Sequence, residues 1–188
     1  MPTQHLSSHK AMPEAEVTLR LAFWLLDQAG TAARAAVAID GAHVRIKGYQ
    51  HGDRWIEEKI VFDIQGFLAI NGCQPIALID EWRGTYERRA QHLELRSIHG
   101  FDVQVAVGGR FICAECKGSG QPSTQLSSAI GQVVVSASIR ENEELWVAVP
   151  DTPKFDAAAK QIIANSPALA RSGIRIALVG EAGVRVLN

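Results

Sequence analysis

The chain has 188 residues, of which 47% are hydrophobic and 21% are charged. This size and composition are typical of one compact globular domain and argue against extensive disorder. The formal net charge of -1 disfavours nucleic-acid binding through a broadly basic surface. A local cationic face remains open, because four arginines lie close together in the sequence; the alternative for them is a solvated charged helix. They are Arg83, Arg88, Arg89 and Arg96.

Targeting signals and disulfides are not expected in this sequence. No apolar run reaches the length of a membrane helix. The first residues lack the charged start, apolar run and cleavage site of a secretory signal, so the chain is predicted to be cytoplasmic. Its cysteines, Cys73, Cys113 and Cys116, do not make a disulfide framework. Cys113 and Cys116 lie in a predicted strand and therefore point to opposite faces, which excludes a shared metal.

The first half of the chain predicts a mixture of helices and short strands. Residues 1–12 form a loose tail, and residues 13–188 form a single domain. An amphipathic helix is expected from Pro13 to Gln28. The remaining expectations are a hairpin of 35–39 and 43–47 around Asp40-Gly41, a helix over 55–70, and an ambiguous segment to Arg89.

The second half has a clearer pattern. Strands are predicted over 92–98, 101–107 and 110–117, the last two joined by Gly108-Gly109. A helix follows from about Thr124 to Ile139. A short apolar strand, a further helix and two closing strands complete the chain, over 145–149, 153–170, 174–179 and 184–187. The order predicts an α/β protein with a mixed sheet and helices on both faces.

The glycine hairpin gathers charged side chains on one patch. A two-residue Gly108-Gly109 turn pairs Val107 with Arg110, and the same register places Asp102 opposite Glu115. Directly opposed side chains share a face, and Lys117 shares it because it lies two residues after Glu115.

Two opposed carboxylates repel each other unless a cation compensates them. Mg²⁺ or Mn²⁺ suits this role, because hard divalent cations accept carboxylate oxygens and lower the pKa of bound water. Lys117 can then orient the water or stabilise charge on a phosphate. The alternative is a structural patch, in which Lys117 only bridges Asp102 and Glu115.

The sequence around this hairpin resembles the core of the PD-(D/E)XK nuclease superfamily. The resemblance covers about residues 92–188. It rests on His99-Gly100-Phe101-Asp102-Val103, on Ile112-Cys113-Ala114-Glu115-Cys116-Lys117 and on the later Ala129-Ile130-Gly131-Gln132. It implies a restriction-endonuclease-like fold, here with an added N-terminal hairpin and helix.

The resemblance also implies roles for particular residues. Asp102 and Glu115 would bind Mg²⁺ or Mn²⁺, and Lys117 and Gln132 would act with them in catalysis. A further acid would come from an N-terminal helix; Glu16 is the first candidate, with Glu14 nearby and Glu57 or Glu58 as others. A surface acid in the first helical turn is equally explained by the helix dipole.

The function implied is metal-dependent hydrolysis of phosphodiesters, in DNA by analogy, during restriction, repair or recombination. A homodimer is expected, because one small domain has little surface for gripping a duplex. The competing hypothesis is a catalytically silent module that binds nucleic acid or protein on the same fold.

Overall fold

The structure is a computed structural model that describes residues 11–97, 100–137 and 142–187. These residues form an α/β protein with five helices and a large mixed sheet. The helices are α1 (Glu14–Ala29), α2 (Ile64–Ile70), α3 (Pro122–Ser136), α4 (Pro153–Asn165) and α5 (Pro167–Ser172). The strands are β1 (Arg34–Ala38), β2 (Arg45–Ile46), β3 (Tyr49–His51), β4 (Arg54–Ile56), β5 (Lys59–Ile60), β6 (Gln74–Leu78), β7 (Gly84–Arg88), β8 (Gln91–Arg96), β9 (Val103–Val107), β10 (Arg110–Cys116), β11 (Glu143–Pro150), β12 (Arg175–Val179) and β13 (Val184–Leu187).

Nine strands form the sheet in the order β13-β12-β11-β10-β9-β1-β8-β7-β6. The β9–β10 hairpin lies near its middle, antiparallel within itself and to β1. β11 runs parallel to β10 and to β12, and β1 runs parallel to β8. Long-range pairing therefore brings residues from both halves of the chain around the hairpin.

Two apolar clusters pack on opposite faces of this sheet. Side chains of α1 and α2 pack on one face, where every second residue of β9 is buried: Val103, Val105 and Val107. Helices α3, α4 and α5 pack on the other face, against Val147 and Val149 of β11. Alternate residues of β11 enter opposite clusters, as the period of a strand requires.

The predictions for the first half of the chain are corrected in two places. The hairpin around Asp40-Gly41 was wrong: β1 pairs with β8 and β9. Asp40 instead accepts a hydrogen bond from Ala42 N and caps a short 3-10 helix, Gly41–His43. The helix over 55–70 was also wrong in its first half, which forms β4 and β5, and only Ile64–Ile70 is helical.

The predictions for the second half are largely confirmed. Strands β8 to β13 lie where alternation and apolar runs indicated, and the turn register pairs Val107 with Arg110. Helix α3 ends at Ser136, and the predicted end at Ile139 lies outside the described residues. The predicted helix 153–170 divides into α4 and α5, since Pro167 has no N–H to donate within a continuous helix.

The clustered arginines do not form a cationic face. Arg88 is buried, and its Nη1 donates to Asp27 Oδ1 at 2.6 Å. Arg83 forms an ion pair with Asp80, and Arg96 lies on β8 rather than on a helix. Within the described parts of the chain, no helix is long and apolar enough to cross a membrane.

Candidate active site

A cleft of about 280 Å³ lies where the β9–β10 hairpin meets the beginning of α1 and the end of α3. It opens beside the last residues of β10, on the face that α3 covers. The residues lining it are Glu14, Asp40, His43, Gly100, Asp102, Glu115, Lys117, Gln132 and Ser136. It thus holds side chains of both signs from separate segments of the chain.

Asp102 and Glu115 form the floor of this cleft. β9 and β10 pair as far as Val103 with Ala114, so the next step of the register places Asp102 opposite Glu115. Asp102 Oδ2 accepts a hydrogen bond from Cys116 N at 2.7 Å. Glu115 is only 5% exposed, although glutamates are rarely buried without a partner.

Burial and mutual repulsion disfavour the ionised forms of both acids. Burial raises the pKa of Asp102 to about 6, although the Cys116 N–H and Lys117 act against this rise. Burial and the neighbouring Asp102 carboxylate raise the pKa of Glu115 to about 8, again against Lys117. The two groups titrate as a pair, and near neutral pH the pair retains a proton when no cation neutralises it.

Lys117 reaches the same cleft and has a second acidic neighbour there. Its Nζ lies 3.7 Å from Glu14 Oε2, and its side chain is 13% exposed. Glu14 Oε1 in turn lies 3.1 Å from His43 Nδ1. The hydrogen bond to Glu14 raises the pKa of His43, against the effect of burial. Lys117 is therefore not restricted to bridging Asp102 and Glu115.

The first turn of α1 reaches the cleft because Gly118 leaves room for it. A Cβ on Gly118 would lie 2.5 Å from Glu14 N and 3.0 Å from Met12 O. Met12 N donates to Ser119 Oγ, and Ser119 N donates to Met12 O, each at 2.8 Å. Met12, expected in the loose tail, is thus held against the loop that follows Lys117.

Glu14, and not Glu16, lines the cleft. Residues two apart on a helix point about 200° away from each other, so only one of the two can face the site. Glu16 Oε1 instead accepts hydrogen bonds from Arg20 Nε at 2.9 Å and Nη2 at 2.7 Å. The other acids considered, Glu57 and Glu58, are exposed in the segment after β4.

Helix α3 brings Gln132 and Ser136, one turn apart, to the side of the cleft. Leu126, Ala129 and Val133 bury its other face against β10 and β11. Gly131 precedes Gln132 in the sequence, and a glycine can permit a close approach of helix and sheet, but a Cβ on Gly131 would meet nothing within 4 Å. The buried stripe on α3 positions Gln132, and Gly131 lies on the exposed side.

The donor atoms in the cleft fit a hard divalent cation. Asp102 and Glu115 supply carboxylate oxygens, and their shared negative charge lacks full compensation from Lys117. Among the described residues, no three His, Cys, Asp or Glu side chains form a closed ligand set. Mg²⁺ does not require one, because it binds through one or two carboxylates and keeps several waters.

Three polar residues of the cleft were missed by reasoning from the sequence: Asp40, His43 and Ser136. Asp40 and His43 lie about sixty residues before Asp102 and reach it only because β1 pairs with β9. The Asp40-Gly41 pair signalled a turn, but not its type. Ser136 could have been predicted from the sequence, because it follows Gln132 by one helical turn and so lies on the same helix face.

Comparisons with protein-family models, with curated proteins and with solved structures gave no significant match to this chain.

Proposed function

We propose that this protein is a metal-dependent nuclease of the PD-(D/E)XK type that hydrolyses phosphodiester bonds in DNA. One observation carries the proposal: the opposed carboxylates of half-buried Asp102 and buried Glu115 share an open cleft with the Lys117 ammonium. Placing two acids in this way costs stability, and a cation-binding site that contacts substrate accounts for the cost. The restriction-endonuclease-like fold belongs to the same proposal, supported by the hairpin followed by α3 and β11.

Each residue of the cleft has a role in this proposal. Asp102 and Glu115 hold Mg²⁺ or Mn²⁺, which would supply an activated water and neutralise phosphate charge. Lys117 holds the attacking water and stabilises charge on the phosphoryl oxygens as the leaving oxygen departs. Gln132 contacts the water or the phosphate from the α3 side. Glu14 holds the Lys117 ammonium in place.

The competing proposal is a silent binding module. It is favoured by the ion pair of Lys117 with Glu14 and by the proton that Asp102 and Glu115 can share, because together these neutralise the cleft without a metal. A structural cluster of this kind would bind no divalent cation and would hydrolyse no substrate.

A plasmid-nicking assay separates the two proposals. We expect the wild-type protein to convert supercoiled DNA to nicked or linear forms with Mg²⁺ or Mn²⁺, and EDTA to prevent this. Asp102→Asn and Glu115→Gln should abolish cleavage, whereas Glu16→Gln, outside the cleft, should retain it. Absence of cleavage by the wild type with both metals would favour the binding module.

We also propose that the active form is a homodimer in the cytoplasm. A single domain with one cleft contacts only one strand of a duplex at a time. At the open edge of the sheet, β6 exposes Ile76 and Leu78, and Ile79 follows directly. Exposed apolar side chains grouped in this way are typical of an interaction surface.

A further inference from the structure

A long hairpin extends from the fold beside the cleft, and the nuclease proposal gives it no role. β2 pairs with β5, and β3 pairs with β4. The register that pairs Arg45 with Ile60 continues outward without a shift and pairs His51 with Arg54, next to a Gly52-Asp53 turn. We call the segment Arg45–Ile60 the arm.

The arm packs little against the rest of the protein. Every residue of the arm whose burial is described is exposed, except Arg45 and Gly48, which are half-buried. Trp55 is 65% exposed, and Ile60 is 61% exposed. A two-stranded ribbon that is open to solvent on both faces contributes little to a core, so another role must account for it.

One face of the arm carries an excess of positive charge. Paired residues and residues two apart share a face of a hairpin, so Arg45, Lys47 and Arg54 lie on the same face. Arg45 Nε lies 3.0 Å from Glu58 Oε1 and thereby neutralises that acid. Within the described ranges, neither Lys47 nor Arg54 has an ion-pair partner.

The base of the arm borders the catalytic cleft. Arg45 and Lys47 line a second cleft of about 470 Å³, together with Ile39, Gly41 and Ala42. Asp40 and His43, from the same short segment, line the catalytic cleft. The segment 39–43 therefore contributes to both clefts, and Lys47 lines the cleft that adjoins the catalytic one.

The dimensions of the arm match one form of nucleic acid. Six steps of strand from residue 45 to residue 51 make the ribbon about 20 Å long. The rows that hold Lys47 and Arg54 are about 13 Å apart by the same rise. The major groove of B-DNA is about 12 Å wide and admits a two-stranded ribbon, whereas the major groove of an RNA helix is too narrow for side chains to read.

We propose that the arm holds double-stranded DNA against the catalytic cleft. The ribbon enters the major groove, and Lys47 and Arg54 contact phosphates at its edge. This inference rests on the proposed nuclease function and narrows its substrate to duplex DNA. A single strand has no groove for the ribbon, so its binding depends much less on the arm.

The test compares two double variants in an Asp102→Asn background, which removes cleavage during binding measurements. Lys47→Ala/Arg54→Ala removes the unpaired cations of the arm. Lys154→Ala/Arg171→Ala removes two exposed cations from α4 and α5, and is the matched control. Circular dichroism and thermal midpoints establish that all variants are folded.

Fluorescence anisotropy measures the Kd for a short duplex and for one of its strands at several salt concentrations. We expect the arm variant to bind the duplex at least about tenfold more weakly. The slope of its plot of log K against log salt should decrease in magnitude by about two, because two phosphate contacts are lost. The control variant should bind the duplex as the parent does. For the arm variant, the Kd for the single strand should change by less than about threefold.

Three results would overturn the inference: equal duplex binding by the arm and control variants, equal losses for duplex and single strand, or conversion of a dimer to a monomer by the arm substitutions. The last would make the arm a contact between copies.

The same substitutions in the active protein separate this inference from the nuclease proposal. If the arm variant cleaves DNA with an unchanged KM, the nuclease proposal stands and the inference about the arm fails. If duplex binding depends on the arm but the wild type does not cleave, the inference about the arm stands and the nuclease proposal fails.

Discussion

The two acids on the floor of the cleft dominate the chemistry at the scale of single residues. Asp102 and Glu115 are held together by the register of β9 and β10, with Lys117 as the nearest cation, so they cannot move apart to relieve repulsion. Burial, together with the repulsion between the two carboxylates, raises both pKa values, so that without a metal the pair reduces its charge by holding a proton. Under the proposed function, protons and divalent cations therefore compete for the same oxygens.

The first prediction concerns stability and pH in the absence of metal. A carboxyl whose pKa is higher in the folded state stabilises the fold fully below its unfolded pKa, near 4. This contribution is lost as pH rises through the folded values, so the metal-free protein should lose several kcal/mol between about pH 4 and pH 8. Urea unfolding at a series of pH values in EDTA measures the loss.

Asp102→Asn is the control for this prediction. It removes the repulsion but not the burial, so it should lower the pKa of Glu115 in part and make the profile less steep. Mg²⁺ should stabilise the wild type more at pH 8 than at pH 5. A stability that rises across this window relative to the variant would contradict the assignment of a shared proton.

The second prediction separates the proposed metal ligands from the lysine. Asp102→Asn should leave the metal-free fold unchanged or slightly more stable, and should weaken Mg²⁺ or Mn²⁺ binding at least tenfold, because a hard ligand is lost. Lys117→Ala should keep metal binding within a few-fold and lower the cleavage rate about 10²-fold to 10³-fold. Calorimetric titration with metal, followed by cleavage kinetics, measures both effects.

A purely structural lysine gives another pattern. Lys117→Ala would then destabilise the fold, because Glu14 would lose its ion-pair partner, and metal would bind neither the wild type nor the variant. Glu14→Gln, which removes the same ion pair from its other side, shows how much of any loss of stability comes from that contact.

At the scale of secondary-structure elements, the site depends on how closely α1 approaches the end of β10. Gly118 permits this approach, because its missing Cβ would lie against the backbone of Met12 and Glu14. The carboxylate of Glu14 then meets Lys117 and His43. The contact is one of backbone with backbone, so a larger residue cannot be accommodated by a change of rotamer.

The third prediction is that Gly118→Ala moves the first turn of α1 away from the cleft. We expect a loss of about 1–3 kcal/mol of stability, since backbone must shift to relieve the overlap. Cleavage should fall as well, because Glu14 no longer holds Lys117. Urea unfolding and single-turnover kinetics measure the two effects.

Gly131→Ala is the matched control within α3. The added methyl meets nothing within 4 Å, and alanine favours a helix over glycine by up to about 1 kcal/mol. It should therefore stabilise the protein slightly and leave cleavage unchanged. Equal effects of the two substitutions would show that neither stability nor cleavage depends on the close approach of α1 at Gly118.

The elements that the sequence predicts well are those with local causes. Gly108-Gly109 sets the register of β9 and β10 without help from the rest of the chain, so Asp102 and Glu115 were predicted as neighbours. The place of β1 was not predictable in this way, because its partners β8 and β9 lie more than fifty residues later. Asp40 and His43 were missed for the same reason.

Local patterns also mislead where two structures use similar residues. Asp40-Gly41 between short apolar runs is typical of a hairpin turn, but the Asp40 side chain caps a 3-10 helix. Residues 55–60 contain good helix formers, yet they form the return half of the arm. Tertiary pairing decided both cases, as it commonly does for short segments.

At the scale of the whole molecule, the two edges of the sheet differ. β13 ends one edge beside β12, with Val184 and Val186 packed on the core. β6 ends the other edge, and all five of its residues are exposed. The register shift after Pro75 and the missing N–H of that proline both make this edge less able to pair with an added strand.

The last prediction follows from this edge. Ile76 and Leu78 of β6, and Ile79 directly after it, expose apolar side chains, although the backbone of β6 is poorly suited to hydrogen bonding with another copy. We therefore expect two copies to associate through these side chains, and the sheet not to continue across the interface. Sedimentation equilibrium at micromolar concentrations should give a dimer for the wild type and a monomer for Ile76→Lys/Ile79→Lys, because two charges on each copy would be buried without partners. Val135→Lys, at an even more exposed apolar residue of α3, should remain dimeric. A monomeric wild type, or a dimer that survives the double substitution, would contradict the prediction that two copies associate through these side chains.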